Sequence, residues 1–334
     1  KLPLDAPSFA GQIEVDATTG AQIFYWLFCP QDGTPPQKAP LLLWMNGGPG
    51  LSSMFGLFNE IGPLQVSNEG RVVKRNLHWN DKMTLVFVDQ PVGVGFSDVG
   101  RGRLPSSIHH AAKYMVNFIG GLMRAHEQLQ GTDLYITGES FCGHYFPPLA
   151  RMILDNNARG SGPRIRLAGV SIGGMQADIR KRVQRWPAQA FAFGLLTEKQ
   201  FSRGQSLAHD FLRLLNAPSV SLREAMKPKR ELEVMIANAG VMKFNLGKQL
   251  GHYCLYKFLS FMNHSAALLH VSSGKQYTHM ALDVEEAIID DVRNTYEEDF
   301  VALLPHIRVL LYEGMWDWED GVAQQEDWLS ELPW

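Results

Sequence analysis

Cysteine is scarce: Cys29, Cys142 and Cys254 are the only three in 334 residues. Three scattered thiols, one of them necessarily odd, exclude a disulfide scaffold and a zinc cage, and no metal or organic cofactor is implied. An excess of charge of one sign is lacking too. Lys+Arg number 31 against 34 Asp+Glu, a formal net charge of −3, so no global field draws the chain toward nucleic acid or an anionic membrane. The densest basic cluster, Arg180-Lys-Arg-Val-Gln-Arg185, is read as a solvated helix face. No apolar run approaches the roughly 18 residues of a membrane span. The chain opens Lys-Leu-Pro, with no initiator Met and no apolar h-region, so any targeting peptide is expected to have been removed or never included. Internal repeats and low-complexity tracts are absent as well. What is plentiful is apolar surface: 45% hydrophobic content can bury the core of one large domain, or of a domain with an insertion.

Gly11–Val15 and Ala21–Phe28, joined by Asp-Ala-Thr-Thr-Gly, read as an antiparallel hairpin. Pro40–Met45 and Met83–Asp89 are short apolar runs of the buried-strand kind. From Ser107 to about Gln130, Ile108, Ala111, Met115, Phe118, Ile119, Leu122 and Met123 recur at helical spacing, with Ser106 or Ser107 as cap. Strand and helix go on alternating through Ile165–Ile172, which predicts an α/β fold with a mostly parallel sheet. The pattern then changes. Arg180–Phe193, Thr197–Leu215, Ser221–Ala239 and an aromatic-rich stretch around Tyr253–Phe261 read as helical segments without strong strands between them. The expected organisation is a core of residues 1–172 and 282–334, with 173–281 a helical insertion that covers the site and shapes specificity. Glu285–Leu304 is expected as one helix and Ile307–Tyr312 as a returning strand.

The chemistry concentrates at Leu134-Tyr-Ile-Thr-Gly-Glu-Ser-Phe-Cys-Gly-His-Tyr145. An apolar run stops at Gly138-Glu139-Ser140 and resumes as a helix from about Gly143, which is the form of a nucleophile elbow. Such a turn pushes its serine hydroxyl out above the sheet and aims the next N–H at the reacting oxygen. Ser140 is the candidate nucleophile. The strict G-x-S-x-G pattern is incomplete, because position 142 is Cys. A second glycine-rich stretch upstream, Leu41-Leu-Leu-Trp-Met-Asn-Gly-Gly-Pro-Gly50, strengthens the elbow reading. The late strand ends at Glu313-Gly-Met-Trp-Asp317. Asp317 is the candidate acid of a triad in the order serine, acid, histidine, with Glu313, Glu319 and Asp320 as rivals.

Four blocks, "GQIEV…AQIFYWLF", "LLLWMNGGPGLSSMFGLFNEIGP", "LVFVDQPVGVGFSD" and "LYITGESFCGHYFPPLA", resemble the serine carboxypeptidases, most closely the vitellogenic-like carboxypeptidases. Weaker matches extend to "IGGMQADIRKRVQRWPAQAFAFGLLTEKQ", "YKFLSFMNHSAALLHV" and "VLLYEGMWDWEDG". The resemblance implies an α/β-hydrolase fold with a helical insertion, and removal of single residues from the C-termini of peptides or proteins. It implies Ser140 as nucleophile, Asp317 as triad acid, and the backbone N–H groups of Gly48 and Phe141 as oxyanion hole. Asn46, Glu60 and Glu139, with Gly47 and Trp44, are implied to hold the substrate's terminal carboxylate. Two carboxyls beside an incoming carboxylate cannot all ionise cheaply, so activity at acid pH is expected.

Departures matter as much. Leu51 stands where many members carry a disulfide cysteine, and Met315 where many carry an acid. The family's general base lies well beyond the acid in a Gly-His-x-x-Pro setting. None of the eleven histidines fits; His144 is read as structural, and His279 precedes Asp317. The C-terminal part of the fold, with its histidine, is therefore expected to be absent from this chain. Two alternatives remain open: a catalytically silent subunit with a binding or structural role, and an acyltransferase using the same triad. Asn263-His-Ser265 is the one glycosylation sequon. With the resemblance it points to a lysosomal, vacuolar or secreted location. A homodimer or membership of a larger assembly is the expectation for partners.

Overall fold

A computed structural model describes residues 2–249, 256–271 and 275–334. Cys254 and part of the Tyr253–Phe261 stretch lie outside them. The strands are β1 (Ser8–Asp16), β2 (Ala21–Phe28), β3 (Leu41–Met45), β4 (Leu64–Val66), β5 (Val72–Lys74), β6 (Thr84–Val88), β7 (Leu134–Glu139), β8 (Leu167–Gly173), β9 (Val241–Met242), β10 (Asn245–Gln249) and β11 (Arg308–Tyr312). Seven of them form one sheet in the order β1-β2-β6-β3-β7-β8-β11. β1, β2 and β6 pair antiparallel; β6, β3, β7, β8 and β11 run parallel. The hairpin and the mostly parallel sheet agree with the sequence reading.

The inner strands are apolar throughout because both faces are covered. Ile23, Tyr25 and Leu27 of β2, Leu41, Leu43 and Met45 of β3, and Ile136 of β7 point into one cluster. There they meet the helices α2 (Ile108–Ala125) and α3 (Cys142–Arg159). The alternate residues Phe24, Trp26, Phe28, Leu42 and Trp44 point into a second cluster on the other face. That cluster is closed by α1 (Met54–Asn59) and α7 (Phe258–Asn263). The period of two seen in β2 and β3 is thus a division between two cores. Ser107 caps α2 by accepting from the His110 N–H at 3.2 Å, as expected, and the helix stops at Ala125, before a separate short turn at Glu127–Leu129.

A third cluster lies within α4 (Ile179–Ala192), α5 (Glu198–Leu215) and α6 (Leu222–Ala237), around Val183, Trp186, Phe211 and Leu232. Trp318, from the loop after β11, belongs to it. The small β9–β10 hairpin follows these helices; its brevity and Gly-Lys content hid it from the pattern.

The expected single helix Glu285–Leu304 is corrected. It is divided into α8 (Leu282–Ile288), a 3-10 segment Ile289–Arg293 and α9 (Glu297–Leu303). The physical reason is tertiary: the Arg293 guanidinium reaches the carbonyls of Leu215 and Val220, and the Tyr296 hydroxyl donates to Asp291 Oδ2 at 2.5 Å. These contacts outweigh the periodicity. A last helix, α10 (Val322–Glu331), packs on α4. Among the described residues, no helix is long and apolar enough to cross a membrane.

Candidate active site

In the parallel pair β3 and β7, Met45 stands opposite Gly138. Equal extension past that register brings Gly47 to the level of Ser140, which is why two loops nearly a hundred residues apart in sequence meet at the carboxyl edge of the sheet. A Cβ added at Gly47 would lie 2.5 Å from the Phe141 nitrogen, 2.8 Å from the Glu139 carbonyl oxygen and 3.0 Å from Ser140 Cβ. Only a glycine fits there. Gly48 has φ +112°, a region closed to most side chains.

Ser140 itself has φ +56°, a strained conformation for a residue with a Cβ. It is held by three backbone bonds: its N–H donates to the Gly173 carbonyl at 2.9 Å, and its carbonyl accepts from Gly143 and Gln176, both at 3.0 Å. This is the geometry of a nucleophile elbow. The departure from G-x-S-x-G at position 142 is accommodated. Cys142 is buried, with its thiol donating to the Met45 carbonyl at 3.2 Å. The tight approach falls one residue later, where a Cβ on Gly143 would sit 2.3 Å from the Gln176 carbonyl oxygen. Burial pushes the Cys142 thiol well above its ordinary range, so it stays protonated and inert.

Beside the elbow lies a carboxyl pair. Asn46, fully buried, accepts at Oδ1 from Trp44 Nε1 and from the Gly56 N–H, both at 3.0 Å. Those two donors fix the amide orientation, so its NH2 faces Glu139 Oε1 at 2.8 Å and Glu60 Oε2 at 3.3 Å. Burial, then the charge of Glu139, raises the Glu60 carboxyl well above the usual range; burial also raises Glu139. Two acids this close share a proton before both ionise. We predict that Asn46→Ala destabilises the fold by about 1–3 kcal/mol, because four polar groups lose their partner. Urea unfolding measures it, and a loss below about 0.5 kcal/mol, the level of an ordinary surface change, contradicts this role.

Asp317 lies at the same edge, after β11, and is buried. Its Oδ1 accepts from the N–H groups of Glu319 at 2.7 Å and Asp320 at 2.9 Å. Burial pushes it up to about 6 in spite of these donors. Glu313 accepts from the Met175 N–H at 3.0 Å, and burial pushes it up to about 8. The rivals Glu319 and Asp320 are engaged by Arg182, at 3.0 and 2.8 Å. The solvated-face reading of Arg180–Arg185 is corrected at this residue: Arg182 is buried, since its counter-charges stand on the loop that carries Asp317.

Among the described residues, no histidine hydrogen-bonds to Ser140 or Asp317. His144 is buried and stacks on Phe141 with ring centroids 4.5 Å apart, and burial depresses it to about 3. His279 lies among Phe55, Tyr256, Phe258 and Tyr277. The Ser140 hydroxyl instead accepts from Gln176 Nε2 at 2.9 Å, and the same nitrogen lies 3.3 Å from Asp320 Oδ2. The sequence reading missed Gln176. The one signal was its place three residues past the end of β8, at the carboxyl edge where ligands bind in such sheets.

The sheet order, the elbow serine and the glycine loop against it define an α/β hydrolase. The chain belongs to the serine carboxypeptidase family, whose sequence profile matches residues 1–334. It is 29% identical to serine carboxypeptidase-like 50 of Arabidopsis thaliana over 98% of this chain and 74% of that protein. To the probable serine carboxypeptidase CPVL of Dictyostelium discoideum it is 27% identical, over 98% of this chain and 66% of the relative. The chain thus spans about two thirds to three quarters of these relatives. In fold it is similar to Kex1(delta)p, a prohormone-processing carboxypeptidase from Saccharomyces cerevisiae. The TM-score is 0.83 at 21% identity, covering 99% of this chain and 78% of that one.

Proposed function

We propose that this chain is the nucleophile-bearing body of a serine carboxypeptidase that releases C-terminal residues from peptides through an acyl-enzyme at acid pH. The observation that carries this reading is the strained Ser140 set against Gly47, one residue from the buried Glu139–Asn46–Glu60 trio. Ser140 Oγ attacks the scissile carbonyl carbon as its proton leaves to a general base. The oxyanion is met by the N–H groups of Phe141 and Gly48, the C–N bond breaks with that proton passing to the amine, and water then cleaves the ester. Asp317 is the acid that orients the base. No imidazole among the described residues reaches Ser140, so the described residues do not supply the general base. Asn46, Glu60 and Glu139, flanked by Gly47 and Trp44, take the substrate's terminal carboxylate. Residues 173–281 form the helical insertion, and 1–172 with 282–334 the core.

Shortening of peptides tests this. Peptides with a free C-terminus lose single residues, measured by mass spectrometry, and the same peptides amidated at the C-terminus do not; equal cleavage of both overturns the reading. The trio also sets a pH dependence. A peptide carboxylate is ionised above roughly pH 3.5, and it is bound by a neutral carboxyl donating a proton. Both glutamates are raised, so that donor persists above the ordinary carboxylate range and is lost as pH rises through the raised values. KM is predicted to rise from pH 5 to pH 8, more steeply than kcat falls. A KM flat across that range contradicts the assignment.

Asn263 is exposed at the end of α7, and the Ser265 hydroxyl donates to the Phe261 carbonyl at 2.6 Å. With the family it supports passage through the secretory route to a lysosomal, vacuolar or secreted location. The amide capping Ser140 Oγ favours a second reading, a catalytically silent subunit, since that donor takes up a lone pair of the nucleophile. Acyl transfer to an alcohol in place of water uses the same groups as hydrolysis.

A further inference from the structure

The loop that carries Asp317 is gripped from two sides. On one side stand Arg182, Trp186 and Gln189 of α4, spaced i, i+4, i+7 and therefore on one face. Arg182 spans Glu319 Oε1 at 3.0 Å and Asp320 Oδ1 at 2.8 Å, with all three side chains at most 7% exposed. Trp186 Nε1 donates to the Glu319 carbonyl at 2.8 Å, and Gln189 Nε2 to the Asp317 carbonyl at 3.1 Å. The Trp186 and Trp318 rings meet edge to face at 5.5 Å. On the other side the Trp318 N–H donates to the Lys243 carbonyl at 3.1 Å, the Leu246 N–H donates to the Trp316 carbonyl at 2.9 Å, and Lys243 Nζ meets Glu319 Oε2 at 2.7 Å.

The consequence reaches the reacting groups along two routes. The two N–H donors that fix the Asp317 carboxylate belong to Glu319 and Asp320, the residues Arg182 holds by their side chains. Asp320 also touches the Gln176 amide that caps Ser140. Burying two adjacent acids costs more than an apolar turn of the same shape. The return is a fixed position, and a planar fork that faces two carboxylates at once supplies it where an ammonium would not.

We propose that Arg182 is a positioning residue for Asp317 and, through Asp320 and Gln176, for Ser140, so that the helical segment after β8 is part of what sets the catalytic geometry. This rests on the proposed role of Asp317. The groups facing Asp317 are Glu139 at the end of β7, Glu313 at the end of β11, its own neighbours Glu319 and Asp320, and Arg182 from α4.

The test follows the Asp317 carboxyl by 13C NMR titration, and the Glu319 and Asp320 amides by 15N shifts, in the full chain and in Arg182→Met and Arg182→Lys. In the native protein Asp317 is expected to titrate at about 6, raised by burial. In Arg182→Met the midpoint rises and both amide signals move toward the values of unbonded N–H groups. Arg182→Lys, which reaches one carboxylate only, moves at least one of the two amides, and it carries the test if the methionine variant does not fold. Unchanged titration and unchanged amides in a folded variant overturn the proposal. In protein that shortens peptides, Arg182→Met lowers kcat by on the order of 10- to 100-fold with KM held, the size seen when a group orienting a reacting residue is lost. If the NMR signals move as stated but Asp317→Asn leaves turnover intact, the role of Asp317 fails and the clamp stands.

Discussion

Replacing Ser140 by alanine, in protein that shortens peptides, is expected to lower kcat for release of a C-terminal residue by on the order of 10⁶, with KM little changed. The reason is the arrangement at the end of β7. A left-handed backbone, pinned by Gly173, Gly143 and Gln176, presents one hydroxyl over the sheet, and no second nucleophile stands beside it: the Cys142 thiol is buried against the Met45 carbonyl. The KM term is separate because the proposed holders of the terminal carboxylate are other residues, Asn46, Glu60 and Glu139. Among the described residues His144 and His279 are both occupied elsewhere and both depressed by burial, to about 3 and about 4, so neither serves as the base. Steady-state rates on an N-blocked dipeptide measure kcat and KM. A Ser140→Ala protein that keeps a tenth of native turnover contradicts the nucleophile assignment.

The second large effect belongs to Gly47. A methyl there meets two backbone atoms, the Phe141 nitrogen at 2.5 Å and the Glu139 carbonyl oxygen at 2.8 Å. Backbone on both sides cannot swing away as a flexible side chain would, so the loop after β3 must lift from the elbow. Gly47→Ala is expected to destabilise the protein by about 1–3 kcal/mol. It should also lower kcat by about 10²–10³, the loss that follows when an oxyanion donor is displaced. Urea unfolding and turnover give the two numbers. A variant with native stability and native kcat means that the two loops do not touch.

Much of this was legible from residues alone. The alternation in Ala21–Phe28, the continuous apolar runs at Leu41–Met45 and Leu134–Ile136, and the abrupt Gly-Glu-Ser all encode local structure, and local structure is what pattern reading detects. The meeting of Gly47 with the elbow rests on β3 and β7 being neighbours, which no local pattern records and the resemblance alone implied. The carboxyl pair bridged by Asn46 was different: nothing local distinguishes Glu60, at the end of a six-residue helix, from a solvated glutamate, and only the family resemblance singled it out. Arg182 shows the opposite failure. Its neighbours Lys181 and Arg185 make ion pairs at the surface, with Glu331 and Asp327, and Arg180 makes a half-buried one with Asp178. The identity of its own partners depends on a loop 137 residues away, which no window of sequence contains. The broken helix at Ile289–Arg293 failed for the same reason.

The most direct measurement is attachment of a fluorophosphonate to the folded protein, followed by mass mapping of the modified peptide. A single adduct on Ser140, lost in Ser140→Ala and slowed in Gly47→Ala, is the predicted result. Absence of any adduct on Ser140 in folded protein, or labelling that survives the Ser140→Ala change, would contradict the assignment of this edge of the sheet as a hydrolytic centre.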